Sequence, residues 1–131
     1  MLPTSEPATG GRVLVVDDEP MLCRAIERML RDLCQVVTAH DGRQALEAIA
    51  AAAGDFDLVV SDMTMPEMDG VELYERAAAA YPELARRFVF LTGAGQDPAQ
   101  GERLARTGRL VLAKPASRER LRALVVQGLR R

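Results

Sequence analysis

Five short runs rich in β-branched and other apolar residues recur along the chain: RVLVV (12–16), QVVTA (35–39), FDLVV (56–60), FVFL (88–91) and LVLA (110–113). Continuous apolar runs of this length fit strands buried on both faces. Longer segments with helical spacing separate them. After Pro20, Leu22, Ile26, Met29 and Leu33 recur on one face, with Arg24, Glu27, Arg28 and Arg31 between them. Asp41-Gly42 supplies a turn and a cap for a helix through Ala45, Leu46 and Ile49 that runs up to Gly54. Residues 71–81 read as an alanine-rich helix stopped by Pro82, and 99–106 as a short helix with few large apolar residues. Ser117 caps a last helix through Leu121, Leu124, Val125 and Leu129. Strands alternating with helices predict a parallel sheet covered on both faces. Right-handed crossovers reduce the topologies to a few. The predicted class is α/β, a doubly wound five-stranded parallel sheet of order 2-1-3-4-5.

A chain of 131 residues suits one domain. Residues 1–10 carry Pro, Thr, Ser and Gly without an apolar core segment, and are expected to form a disordered lead-in to a domain at 11–131. No apolar run approaches the roughly 20 residues of a membrane span. A net charge of −2 and a pI of about 5.5 give no basic footprint for nucleic acid. Cys23 and Cys34 lack metal-ligand spacing and are expected as small buried hydrophobes. His40, the single histidine, is expected in a surface loop. The arginines of the last segment (118, 120, 122, 130 and 131) read as a solvated face.

The residues at the ends of the apolar runs are more informative. The first run leads into Asp17-Asp18, the third into Ser61-Asp62, the fourth into Thr92 and the fifth into Lys114. In a parallel sheet all these strand ends share one edge, where ligands bind at the reversal of strand order. Three carboxylates, a hydroxyl and an ammonium therefore converge. Carboxylates so placed repel one another, and a hard cation such as Mg2+ removes the conflict. A carboxylate beside Mg2+ can attack a phosphoryl group, whose charge a lysine and a hydroxyl then neutralise. Lys114 is the sole lysine among the 17 basic residues. A compact ammonium differs from a guanidinium in phosphoryl contact.

The segments VVDDEP (15–20), SDMTMPEMDG (61–70), LTG (91–93) and AKP (113–115), in this order and each at a strand end, resemble the response-regulator receiver family of two-component signalling. The resemblance covers residues 11–130 and implies the flavodoxin-like (βα)5 receiver fold of the chemotaxis regulators. It implies Asp62 as phosphoacceptor and as a metal ligand, and Asp18 as a direct Mg2+ ligand, with Asp17 acting through water and the Thr64 carbonyl completing the set. Mn2+ is an alternative cation. Thr92 and Lys114 would bind phosphoryl oxygens, with Pro115 after a cis peptide, and Pro66 and Gly70 would shape the loop beside the site. The implied partner is a histidine kinase or a histidine phosphotransfer protein. Heavy use of Arg and Ala points to a bacterial source, and two cysteines without a secretion signal fit a cytoplasmic location. The resemblance implies no enzyme beyond self-phosphorylation and slow self-dephosphorylation, and leaves open a phosphorylation-dependent dimer.

The chain departs from the family pattern at Val111. Receivers usually carry Tyr or Phe three residues before the motif lysine, where it reports the state of the threonine. Ala116 also replaces a frequent aromatic. Together with 93–110 and the VLAKP ending, this resembles receivers attached to hybrid histidine kinases. Two alternatives remain open. One is a phosphorylation-independent interaction module, favoured by Val111. The other is an aspartyl-phosphate phosphohydrolase, disfavoured because Thr64 stands where a second acid would serve.

Overall fold

The computed structural model describes residues 11–93 and 97–129. The expected lead-in at 1–10 and part of the 93–98 loop lie outside the described residues. The elements run β1 (Gly11–Val16), α1 (Pro20–Leu30), β2 (Cys34–Ala39), α2 (Gly42–Ala51), β3 (Leu58–Asp62) and α3 (Gly70–Ala80). A 3-10 helix (Pro82–Arg87) leads into β4 (Phe88–Thr92), α4 (Pro98–Thr107), β5 (Leu110–Ala113) and α5 (Arg118–Gly128). All strands pair in parallel in the order β2-β1-β3-β4-β5, as expected.

Side-chain alternation along the strands divides the interior into two layers. Leu14, Val16, Val59, Phe88 and Phe90 face α2, α3 and α4, packing with Ile49, Leu73 and Leu104. Val13, Val15, Val60, Val89 and Leu91 face the other way, onto Ile26 and Leu30 of α1 and Leu121 and Val125 of α5. Both cysteines are buried free thiols in that second layer, as expected of small hydrophobes.

Capping obeys the sequence signals. Asp41 accepts from Gln44 N–H, Asp69 from Glu72 N–H, Asp97 from Gln100 N–H and Ser117 from Arg120 N–H, at 2.7–3.1 Å. Each satisfies an N–H that a helix start leaves free. The end of α2 is tightened by Gly54, whose N–H reaches Ile49 O at 2.8 Å with φ +75°.

Several local features differ from expectation. The first helix ends at Leu30, because a turn through Leu33 N–H to Leu30 O (2.8 Å) delivers the chain into β2; Leu33 packs on the core from outside the helix. The third strand runs Leu58–Asp62 rather than 56–60. Phe56 is buried just before the ladder, whereas the polar Ser61 and Asp62 still pair with Phe90 and Leu91 of β4. The 3-10 helix was not expected; Pro82 stops α3 but starts this turn, and Leu84 buries its side chain. His40 is half-buried rather than a plain surface residue, its backbone N–H held by the Gln44 side chain at 2.9 Å.

The helix with the fewest apolar residues, α4, buries only Leu104. Its position is reinforced by Arg103, which binds Asp69 through two contacts at 2.6 and 3.2 Å. Burial alone would raise the Asp69 carboxyl, but Arg103 and the Glu72 N–H outweigh it and hold the group below its ordinary range. Such a group adds stability above its unfolded pKa, and that stability is lost as pH falls through the lower folded value. Replacing Arg103 with Ala is expected to cost about 1 kcal/mol near neutral pH, the upper end for a partly exposed ion pair. Urea denaturation at several pH values should show the difference from the unaltered protein shrinking towards acid.

Candidate phosphoryl and metal site

The carboxyl edge of the sheet collects the acidic, hydroxyl and lysine residues of the strand ends. The chain leaves β1 with Asp17, whose N–H makes a last bond to Ala39 O of β2 at 3.0 Å. Asp62 is the final residue of β3, the central strand, and Thr92 the final residue of β4. Lys114 comes directly after β5, with its N–H on Thr92 O at 2.8 Å, and the Lys114–Pro115 peptide is cis. Parallel register thus brings together four segments that lie far apart in the chain.

Asp17 and Asp62 are almost fully buried, at 1% and 5% exposure, while Asp18 is exposed at the rim. The Lys114 ammonium lies between the two buried carboxylates, 3.0 Å from Asp17 Oδ2 and 3.1 Å from Asp62 Oδ2. Burial raises the Asp62 carboxyl above its ordinary range; the Lys114 ammonium pulls it back and the Asp17 charge pushes it further up. For Lys114, partial burial works against the charged form, but the two carboxylates prevail and its pKa is raised. One ammonium therefore serves two carboxylates, and with Asp18 the site keeps an excess of negative charge.

The donor set fits a hard divalent cation. One oxygen from each of Asp17, Asp18 and Asp62 lies within 4.8 Å of the others. Opposite ligands of Mg2+ stand about 4.2 Å apart, so a small inward adjustment closes the set. Asp17 Oδ1 accepts from Glu19 N–H at 2.9 Å, which aims this carboxylate. Asp17 Oδ2 has the lysine as counter-charge but no aligned hydrogen bond, leaving a buried lone pair for a ligand.

The loop after Asp62 wraps the site. The Thr64 backbone N–H helps to offset the burial of the Asp62 carboxylate, and the Thr64 side chain is exposed. Met63 N–H bonds Leu91 O at 2.9 Å, and Gly70 N–H returns to Met63 O at 2.7 Å. A Cβ on Gly70 would stand 2.5 Å from the Asp62 carbonyl, so only glycine lets α3 begin this close to the end of β3. Val111 is 36% exposed on β5, opposite Phe90, and offers no polar tip.

Sequence reasoning missed two features near the site. The Arg103–Asp69 pair joins residues 34 positions apart, and nothing local in either segment signals it. Cys23 and His40 both touch the Asp17 carbonyl, at 3.4 Å each, although they read as a core filler and a surface residue. Burial, then the Asp17 charge, pushes the Cys23 thiol up to about 11, so it remains a protonated donor near neutral pH. A cleft of about 780 Å³ opens at the opposite edge of the sheet, beside Asp57, Arg87, Arg109 and Leu124, and shares none of the acidic residues.

Comparison with known proteins agrees with this fold. A two-component response regulator of Oryza sativa subsp. indica is 32% identical over 123 residues, covering 93% of this chain and 19% of the relative. A sensor kinase of Brucella abortus is 36% identical over 86 residues, covering 65% of this chain and 9% of the relative. The chain thus spans less than a fifth of the length of these curated relatives. They come from a plant and a bacterium, so they lend no support to the expected bacterial source. A Vibrio cholerae chemotaxis protein superposes with TM-score 0.74 at 27% identity, covering 90% of this chain and 98% of that one. The signal receiver domain of a histidine kinase from Syntrophus aciditrophicus gives 0.77 at 27%, covering 92% and 91%. Residues 13–126 match the sequence model of the response regulator receiver domain. With that match over nearly its whole length, the fold and the acidic strand-end cluster, the chain belongs to the response regulator receiver domain family.

Proposed function

We propose that the chain accepts a phosphoryl group on Asp62 from a phosphohistidine, in the presence of Mg2+ or Mn2+, and changes conformation in response. The observation that carries this reading is the Lys114 ammonium set between the buried Asp17 and Asp62 carboxylates, beside a third carboxylate at the rim. An Asp62 carboxylate oxygen attacks phosphorus, an O–P bond forms, and the P–N bond to the donor imidazole breaks. The imidazole leaves with its electron pair and takes a proton from solvent. Asp18 and the Thr64 carbonyl would hold the cation, with Asp17 acting through water; the cation supplies charge neutralisation for the transferred oxygens. Lys114 would exchange its contact with Asp62 for a phosphoryl oxygen, and the Thr92 hydroxyl would hydrogen-bond another. The new group adds roughly −1.5 to −2 charges, enough to redistribute two states a few kcal/mol apart.

The partner is a histidine kinase or a histidine phosphotransfer protein, which fits a cytoplasmic location. The likeness to a sensor kinase and to a histidine kinase's receiver domain supports a place in a hybrid kinase, with phosphoryl relay as the output. No helix among the described residues is long and apolar enough to cross a membrane. We assign no nucleic-acid contact to the domain, and phosphorylation-dependent dimerisation belongs to the same reading.

Val111 favours a second reading, a receiver-like module that binds partners without phosphorylation. Mg2+ titration by calorimetry separates the two. The phosphoacceptor reading expects saturable 1:1 binding that Asp18→Asn weakens at least tenfold. A flat titration of folded protein would favour the phosphorylation-independent module.

A further inference from the structure

Behind the acidic pair, two side chains from different elements meet on one backbone atom. Cys23, in the first turns of α1, brings Sγ within 3.4 Å of the Asp17 carbonyl oxygen and 4.0 Å of Ala39 O. His40, just past β2, brings Nδ1 within 3.4 Å of the same Asp17 oxygen. The two side chains are themselves 3.8 Å apart, Sγ to Nδ1. With its proton on Nδ1, the imidazole donates to this carbonyl oxygen. The β1–β2 ladder makes its last bond at Asp17 N–H, so the carbonyl of the same residue is met by side chains.

We propose that Cys23 and His40 are positioning residues for the metal carboxylates, acting through the Asp17 carbonyl; this rests on the phosphoacceptor reading. The peptide group is planar, so fixing the Asp17 C=O fixes the plane that also contains the Asp18 N–H and Cα. The side chain of Asp17 is tied separately, by Glu19 N–H at 2.9 Å and Lys114 at 3.0 Å. Asp18 is exposed and none of these side-chain ties reaches it; its direction is inherited from the peptide plane. Cys23 and His40 therefore keep Asp18 aimed at the cation without touching it. Neither residue is part of the four-segment pattern of the family resemblance.

Packing and positioning predict opposite orders for two substitutions. Cys23 is 1% exposed. If it only fills space, Val, of similar volume and without a polar atom, is the best replacement, and Ser the worst. If it holds the carbonyl, Ser keeps a donor and Val removes one. For His40, Asn keeps a donor near the Nδ1 position and Leu does not.

The test measures Mg2+ affinity by calorimetry on the four single variants, with thermal midpoints recorded alongside. Mn2+ titration monitored by electron paramagnetic resonance gives a second binding readout. The expected result is a three- to tenfold loss of affinity in Cys23→Val and His40→Leu, about the worth of one hydrogen bond. Cys23→Ser and His40→Asn should stay within twofold of the unaltered protein, even where Cys23→Ser melts lower than Cys23→Val. Unaltered protein that binds Mg2+ while all four variants match it would overturn the positioning role alone. Unaltered protein that binds no Mg2+ would overturn the phosphoacceptor reading and this role with it.

Discussion

Replacing Lys114 with Met is expected to destabilise the metal-free protein by roughly 3 kcal/mol, one of the largest effects available at a single position. The Lys114 side chain is 19% exposed and carries the counter-charge for both Asp17 and Asp62, which are 1% and 6% exposed at the side chain. Removing one member of a buried pair typically costs about 3–5 kcal/mol, because the partner is left buried and uncompensated. Partial exposure of the lysine puts the expectation at the low end. The same charge excess has two further consequences. Saturating Mg2+ should recover part of the loss, since a ligand at roughly 100 times its dissociation constant stabilises by about 2.7 kcal/mol. Asp62→Asn should stabilise the metal-free protein near neutral pH. The folded-state pKa of Asp62 is raised, so its ionised form costs stability there, and the cost fades as pH falls and the group is protonated. Thermal melts with and without Mg2+ check all three. A Lys114→Met protein as stable as the parent would mean that the lysine is solvated and not structural.

Gly70→Ala is the second large effect. The added methyl would stand 2.5 Å from the Asp62 carbonyl and 3.0 Å from Met63 Cα, both backbone atoms that cannot swing aside. Alanine gains up to about 1 kcal/mol over glycine in a helix interior, and less at the first helical residue, which Gly70 is. Overpacking costs about 1–3 kcal/mol, so the clash prevails, and a net loss of about 2 kcal/mol is expected. Relief requires moving the backbone of residues 62–64, which carries Asp62 and the Thr64 carbonyl. Mg2+ affinity should therefore fall as well, by tenfold or more. Chemical denaturation gives the first quantity and calorimetry the second. A neutral effect on both would show that α3 can retreat from β3 without disturbing the site.

These two residues also show what the amino-acid order makes legible. Lys114, Asp17, Asp18 and Asp62 were identifiable because each stands at the end of an apolar strand, and a parallel sheet leaves strand ends no choice of edge. The five strands and their order come from the same alternation, since covering both faces with helices leaves few topologies. Boundaries were less legible where pairing rather than hydrophobicity decides them. Ser61 and Asp62 belong to β3 because Phe90 and Leu91 stand beside them, which their own polarity conceals. The 3-10 turn after Pro82 was hidden for a related reason: proline ends one helix and is equally suited to begin the next.

The contacts of Cys23 and His40 were hidden differently. Their partner is a backbone carbonyl, which carries no residue identity, so no spacing rule finds it. Arg103 and Asp69 are joined only after α4 has docked beside α3, and a chain with so many arginines offers no reason to prefer this one. The place of Thr92 at the end of β4 was legible from the apolar run that precedes it.

Asp62 is proposed to accept a phosphoryl group with the help of a divalent cation bound beside it. The most direct measurement is intact mass after incubation with acetyl phosphate, with Mg2+ or with chelator, alongside Asp62→Asn. The predicted result is a gain of one phosphoryl group that requires Mg2+ and is absent in the variant. Folded protein that gains nothing with Mg2+ present, or gains equally in Asp62→Asn, would contradict the claim.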